Sequence, residues 1–281
     1  MTAIARLPHR ALIRITGPDW ATFLKGLCTA HIDRITAEVA DGRFGNLHYG
    51  AFLRPQGKMY ADCLLMARGP EEIWLDVPLA SRPELLAKLN MYRLRAKVTI
   101  DALEAPVFVA FGGDLPAGFS DDPRGAIVDD TFGFAYDDRK ATTDDAEWTA
   151  FRIGLGISDA GQDFGMDALY AIDANLDLLD AIDFHKGCYV GQELTSRMKR
   201  RGQIKNRLLP LISQGDLESG AEILIGERKV GEVTSAYGPI GLGLMRIDRL
   251  VQNDVQSGGY AVTVAVPAWI ATQVQFGNDA S

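Results

Sequence analysis

The chain is expected to be an α+β protein of two or three modules, the last a small antiparallel barrel or sandwich. Three observations lead there. Up to about residue 103, apolar strands alternate with segments of helical spacing. Residues 114–147 are rich in Asp, Gly and Pro and divide that region from the next ordered one. Beyond Arg207, short apolar runs are punctuated by glycine turns.

ALIRITG (residues 11–17) alternates as a strand. Gly17-Pro18-Asp19 then opens a helix, with proline in the first turn and an acid at the positive end of the dipole. Trp20, Phe23, Leu24 and Leu27 give this helix a core face, and Cys28 after it reads as a core residue. Residues 46–53 form a strand, 54–58 a turn and MYADCLLMAR (59–68) the returning strand, with Tyr60, Asp62 and Leu64 expected on one face. EEIWLDVP is a further strand, and SRPELLAKLNMYRLRAKVTIDAL a helix followed by the strand AKVTI. APVFVAFGG is a buried strand, residues 114–147 are mostly loop with short strands, and AEWTAFRIGLGIS returns to order. In AIDANLDLLDAIDF a helix is expected, with Leu176, Leu179 and Ile182 inward and Asp173, Asp177 and Asp180 on another side. RLLPLISQG, AEILIGERKVGEVTSAYG, GLGLMRID and GYAVTVAVPAWIATQV are the strands of the last module, with a hairpin turn at residues 226–229.

With 281 residues, 47% hydrophobic and 23% charged, the composition is that of a soluble protein. No apolar run approaches the roughly 20 residues of a membrane span, and the start lacks the apolar core of a secretory signal. Cys28, Cys63 and Cys188 are too few and scattered for a disulfide framework or a paired-cysteine metal site, so a reducing cytoplasm and no stably bound metal are expected. A net charge of -8 argues against direct nucleic-acid binding. Yet Lys186, Arg197, Lys199, Arg200, Arg201, Lys205 and Arg207 gather in one segment with Glu193 as its single acid. They form either a solvated face or a site for a polyanion.

That basic segment carries Cys188. Gly187 and Gly191 bracket the thiol and favour an irregular backbone. Lys186, two residues away, is placed to stabilise a thiolate. The string Lys186-Gly187-Cys188-Tyr189-Val190-Gly191-Gln192-Glu193 resembles the signature of the YgfZ family, folate-binding relatives of the glycine-cleavage T-protein linked to maturation and repair of iron-sulfur proteins. LIRITGPDWATFLKGLCT resembles that family's opening strand and helix, and Tyr92, Arg93 and Arg95 one of its turns.

The resemblance implies a three-module cloverleaf around a central channel, with a C-terminal antiparallel β-barrel. Residues 1–45 and 104–200 would form a discontinuous first module carrying the Cys188 loop, residues 46–103 an inserted second and residues 201–281 the barrel. It further implies tetrahydrofolate against Tyr49 and Asp62. Tyr92, Arg95, Arg152, Asp173 and Arg201 are further cofactor candidates, with Cys188, Lys186 and Asp62 as the reactive set. This chain has Ala61-Asp62 where T-proteins commonly double the aspartate, and Gly154 where they carry a pterin-reading glutamate within Arg-x-Glu-x-Gly. The expected function is a folate-dependent accessory factor in assembly or repair of iron-sulfur clusters, with assembly or client proteins, such as tRNA-thiolation enzymes, as partners. The alternatives are a tetrahydrofolate-dependent aminomethyltransferase or demethylase, and a scaffold in which the cysteine loop only docks a protein.

Overall fold

The structure, a computed structural model, describes residues 1–201, 204–250 and 254–274. From the N-terminus, β1 (Ala3–Arg6) and β2 (Arg10–Thr16) are followed by α1 (Trp20–Lys25) and α2 (Ile32–Ala40). Next come β3 (Leu47–Leu53), β4 (Met59–Gly69), β5 (Glu72–Pro78), α3 (Arg82–Arg93) and β6 (Thr99–Leu103). A second group comprises β7 (Phe108–Phe111), β8 (Ser120–Asp121), α4 (Gly125–Val128), β9 (Phe132–Ala135) and α5 (Asp145–Leu155). After α6 (Gln192–Arg201), the last module holds β10 (Asn206–Ser213), β11 (Glu222–Ile225), β12 (Arg228–Tyr237), β13 (Ile240–Arg246), β14 (Val255–Ser257), β15 (Tyr260–Val264) and α7 (Ala268–Ala271).

The largest open sheet has the order β3-β4-β5-β2-β6, antiparallel throughout. It is buried on both faces, which is why β3 and the first nine residues of β4 read as near-continuous apolar runs. Ala61, Cys63, Leu65 and Ala67 pack with α1, α2 and α3, whereas Leu64 and Met66 join the core shared with the rest of the molecule. The alternation puts Asp62 on that shared side. Tyr60 departs from it: a register irregularity at Phe52/Leu53 turns it to the helix side with Phe52.

The smaller sheet, β1-β7-β9-β8, takes β1 across to β7. The expected boundary at residues 45/46 therefore cuts through one sheet. Strand β2, assigned to the first module by sequence, lies hydrogen-bonded between β5 and β6 of the segment placed in the second. The chain changes sheet at residues 7–9 because β1 and β2 pair with partners from different parts of the sequence.

The last module is a closed six-stranded barrel, β10-β13-β12-β11-β14-β15, sealed by pairing of β15 with β10. Gly241 is needed there, since a Cβ would lie 2.5 Å from the Ser235 carbonyl oxygen. Two local expectations change. The PAWIA run is the short helix α7 rather than strand. Residues 171–180 are a series of turns rather than a helix, because Asn175 (φ 65°) and Asp180 (φ 52°) take left-handed conformations that end each turn.

Candidate functional site

Cys188 is exposed at the mouth of an open cleft of about 800 Å³, lined by Phe184, His185, Tyr189, Gln192, Lys199 and Arg200 among others. The other two cysteines are buried, and burial raises both thiols above the ordinary range. What holds Cys188 outward is the clamp beneath it. Asp183 Oδ1 accepts the backbone N–H groups of His185 (2.9 Å) and Lys186 (3.0 Å), reversing the chain. Asp183 N–H donates to the Thr29 carbonyl (2.9 Å), and Val190 N–H to that of Gly26 (3.1 Å). Thr29 Oγ1 in turn donates to the Ala181 carbonyl (2.7 Å) and accepts the Ala51 N–H (2.8 Å), stitching the loop to β3. Gly191 (φ 83°) seats the loop on the end of β3, where a Cβ would meet the Arg54 carbonyl oxygen at 2.6 Å. The segment 26–30 is thus the floor of the site, and its signal in sequence is a polar Thr29 inside an apolar run.

Lys186 does not serve the role expected of it. Its Nζ runs beneath the loop, donating to the carbonyls of Cys28 (2.5 Å) and Ala30 (2.8 Å), 4.9 Å from the centre of the Tyr189 ring. Burial lowers its pKa, with Cys28 and Asp183 opposing. Past the turn on Asp183, Lys186 and Tyr189 are buried beneath the loop while His185, Gly187 and Cys188 are exposed, so the lysine and the thiol lie on different sides.

The basic residues from Arg197 to Arg201 lie in the helix α6 and Arg207 in β10, and much of the segment's charge is paired. Arg197 bonds Glu193 (2.5 Å), Lys199 bonds Asp177 (3.1 Å), and the fully buried Arg207 bonds Asp177 (2.5 Å). Lys199 Nζ also lies 5.7 Å from the centre of the Phe184 ring, placing cation and aromatic on one wall of the cleft. The side chain of Arg201, a folate candidate, lies outside the described residues.

The remaining folate candidates are not gathered at one site. Tyr49, Asp62 and Arg152 line the centre of the molecule. Tyr92, in the last turn of α3, and Arg95, just beyond it, are exposed. Asp173 is buried beside the start of the barrel, where its carbonyl accepts the Leu208 N–H. The centre is filled by its own charges. Arg10 donates to Asp62 Oδ1 (2.9 Å), Asp76 Oδ1 (2.8 Å) and Asp159 Oδ1 (2.9 Å), and His9 Nε2 lies 3.1 Å from Asp159. Tyr49 O–H donates to Asp62 Oδ2 (3.4 Å), and the Arg124 guanidinium, paired with Asp122, stacks 4.3 Å over the Tyr49 ring. Arg152 is bidentate with Asp163 (2.6 and 2.9 Å), a purely internal pairing. Burial raises the pKa of Asp62, with Arg10 opposing, and pushes Asp76 up to about 6. Burial also penalises a charge on Asp159, but Arg10 and His9 hold it well below the usual carboxylate range.

These residues do not fit a folate. The cavity among them is about 10 Å³, room for roughly one water, against about 300–1,000 Å³ for ligand pockets. Asp62 is already bonded to Arg10 and Tyr49. Gly154, at the pterin-reading position, is exposed, with nothing within 4 Å of where a Cβ would stand. Arg10, Arg124 and Asp159, which close the centre, were not singled out by sequence. Arg10 shows there as a cation opening an alternating apolar strand.

Over 98% of its length, the chain superposes on the glycine cleavage system aminomethyltransferase T from Bartonella henselae, with a TM-score of 0.69 at 16% identity, covering 88% of that protein. The fold is that of a T-protein. The model of the CAF17 C-terminal beta-barrel domain matches residues 205–272, the barrel itself. Among sequence relatives is the "Iron-sulfur cluster assembly factor IBA57 homolog, mitochondrial" of Mycosarcoma maydis, 29% identical over 232 residues. The match takes in 74% of this chain and 56% of that protein, so the chain spans little more than half the length of that relative. The Mus musculus "Iron-sulfur cluster assembly factor IBA57, mitochondrial" is 27% identical over 304 residues, 95% of this chain and 85% of that one. The Pyricularia oryzae homolog is 27% identical over 316 residues, covering 97% and 76%. The chain is therefore related to proteins named as iron-sulfur cluster assembly factors. All three carry the word mitochondrial in their names, which overturns the cytoplasmic location expected from cysteine usage.

Proposed function

We propose that this protein is an accessory factor in iron-sulfur cluster assembly that lends the Cys188 thiolate to a cluster, or to its precursor, held jointly with a partner. The observation that carries the reading is the exposure of Cys188 in an open cleft, on a loop clamped from behind by Lys186, Asp183 and Thr29. Iron-sulfur clusters generally take about four protein ligands, mostly cysteines. Of the three cysteines here two are buried, so the other thiolates come from the partner. The cluster is cargo, and the chain's contribution is a rigidly presented sulfur with open space before it. The kinship with named assembly factors supports the same reading, and the eight-residue string at Lys186–Glu193 favours a YgfZ-like branch that serves cluster-dependent enzymes, tRNA-thiolation enzymes among them.

The aminomethyltransferase alternative needs a free carboxylate beside the reactive nitrogen of folate, and Asp62 is committed to Arg10 and Tyr49. The deciding experiment is complementation of cells lacking the endogenous factor, with the activity of [4Fe-4S] enzymes as readout. Wild type is expected to restore activity and Cys188→Ser to fall at least about tenfold short, at equal expression and melting temperature. Equal rescue by both forms would remove the thiol from the mechanism and with it this proposal.

A further inference from the structure

The basic, apolar segment at the end of α3 is absorbed neither by the core nor by the cysteine cleft. Residues 91–97, Met-Tyr-Arg-Leu-Arg-Ala-Lys, hold three large apolar side chains, three cations and no acid in a chain of net charge -8. Met91 is 61% exposed, Tyr92 41% and Leu94 87%. Neighbouring Arg82 and Lys88 are paired, with Glu104 and Glu84. Among the described residues the side-chain cations of Arg93, Arg95 and Lys97 form no salt bridge within 4.0 Å, although Asp19 Oδ2 accepts the Lys97 backbone N–H (2.8 Å). Leu94 takes φ 42° and ψ -103°, a conformation that costs an ordinary residue on the order of 1–3 kcal/mol and here turns the side chain outward.

We propose that this ridge is the docking surface for an acidic, thiolate-bearing protein partner, placed so that the partner's sulfur ligands meet Cys188. The inference rests on the reading of Cys188 as a shared ligand and adds to it a surface and a partner chemistry. Two observations select the occupant. The first is charge: unpaired cations flanked by exposed apolar side chains match an acidic surface that also carries an apolar residue. The second is continuity. Tyr92 lines a small cavity together with Leu27, Tyr60 and Val190, and Val190 is two residues from Cys188. The ridge and the cysteine loop thus belong to one stretch of surface, with Lys199 and Arg200 on the far side of the cleft. A flat anionic membrane fits less well. Arg93, Arg95 and Lys97 themselves line a groove of about 790 Å³ together with Glu71 and Glu72, a concave surface of mixed charge that protruding partner side chains can enter and a flat bilayer cannot.

The test uses the full chain and two synthetic peptides, each joined by a flexible glycine-serine spacer to a cysteine activated as its 2-pyridyl disulfide. One peptide alternates glutamate and aspartate around a leucine; the other carries lysine at the acidic positions. The Cys188 thiolate attacks the peptide sulfur, a mixed disulfide forms, and pyridine-2-thione leaves and is read by its absorbance. Steered association raises rates by about 10-fold or more, so wild type is expected to react at least about tenfold faster with the acidic peptide. In an Arg93→Glu, Arg95→Glu, Lys97→Glu variant this preference is expected to vanish, while alkylation of Cys188 by neutral iodoacetamide stays unchanged. Equal rates for the two peptides, or a preference that survives in the triple variant, would overturn the ridge. Co-sedimentation with phosphatidylglycerol vesicles that depends on the same three residues would reassign it to a lipid surface and equally overturn the proposal. Full rescue of cells by Cys188→Ser, together with the peptide preference measured on wild type, would sink the cluster reading and leave the docking surface standing.

Discussion

The cysteine loop and the centre of the molecule use buried charge in opposite ways. Beneath Cys188, one buried ammonium reads two backbone carbonyls and the loop it holds stays open to a cleft of about 800 Å³. At the centre, Arg10 gathers Asp62, Asp76 and Asp159, and the space among them shrinks to about 10 Å³. In one place charge serves to present a side chain, and in the other it closes the ground where a small ligand would lie. A T-protein fold therefore does not carry a T-protein site with it, since function resides in the side chains set on the fold.

The broadest way to break this contrast is to remove one reactive group from each region. Cys188→Ser is expected to lose at least about tenfold in support of cluster-dependent enzymes. Asp62→Asn is expected to stay within about twofold of wild type, because Arg10 keeps Asp76 and Asp159. Paired complementation assays decide it, and the reverse ranking would return the function to the centre.

The next largest effect is on stability. Arg10→Met leaves three buried carboxylates without their common partner, and breaking a buried ion pair from one side costs about 3–5 kcal/mol. Urea unfolding followed by tryptophan fluorescence measures it. A loss below about 1 kcal/mol would mean that water reaches the centre and that it is not closed.

Lys186→Met sharpens the other side. Losing the ammonium takes the Lys186 donor from the Cys28 carbonyl in a buried place, at about 1–3 kcal/mol, while the Ala30 carbonyl keeps the Ile32 N–H (2.9 Å). The melting temperature is expected to drop while the iodoacetamide rate at Cys188, measured well below that temperature, changes less than about threefold. A tenfold slower alkylation at unchanged stability would restore Lys186 as the group that activates the thiol.

How much of this was legible in the sequence follows from what each feature depends on. The barrel, the α3 helix and the β3-β4 pair were readable because short-range apolar patterns and glycine turns specify them. The prominence of Cys188 was readable because glycines bracket it. The direction of Lys186 was not, since it depends on the Asp183 turn and on carbonyls more than 150 positions away in the chain. Nor was the partition of the sheets, because β1 and β2 separate only once β7 and β5 are in place. The turns at residues 171–180 read as a helix in sequence because their apolar spacing is helical, and the left-handed Asn175 and Asp180 that interrupt it show only in the folded chain. Closure of the centre was least visible, since Arg10, Asp62, Asp76, Arg124 and Asp159 are scattered over some 150 positions.

Asp173, at the foot of the barrel, separates the two uses of buried charge most finely. Burial pushes its pKa up to about 6, with Lys58 and Arg207 pulling the other way. Unlike Asp62 it does not share a cavity with Arg10. An unfolded aspartate titrates near about 3.9, so between roughly pH 4 and 6 the folded state holds the proton more tightly than the unfolded one. The native state therefore loses stability as pH rises through that window, and the deficit persists above it. Asp173→Asn removes the titration while keeping the size of the side chain. The variant should match wild type near pH 4 and exceed it at pH 7.5 by on the order of 1–3 kcal/mol. Comparing the two proteins at each pH cancels the contributions of His48 and the central carboxylates, which both share. Should the variant prove less stable than wild type at pH 7.5, the ionised form is the favoured one. The Asp173–Lys58 attraction would then outweigh burial, and the foot of the barrel would work as the Arg10 centre does, by pairing.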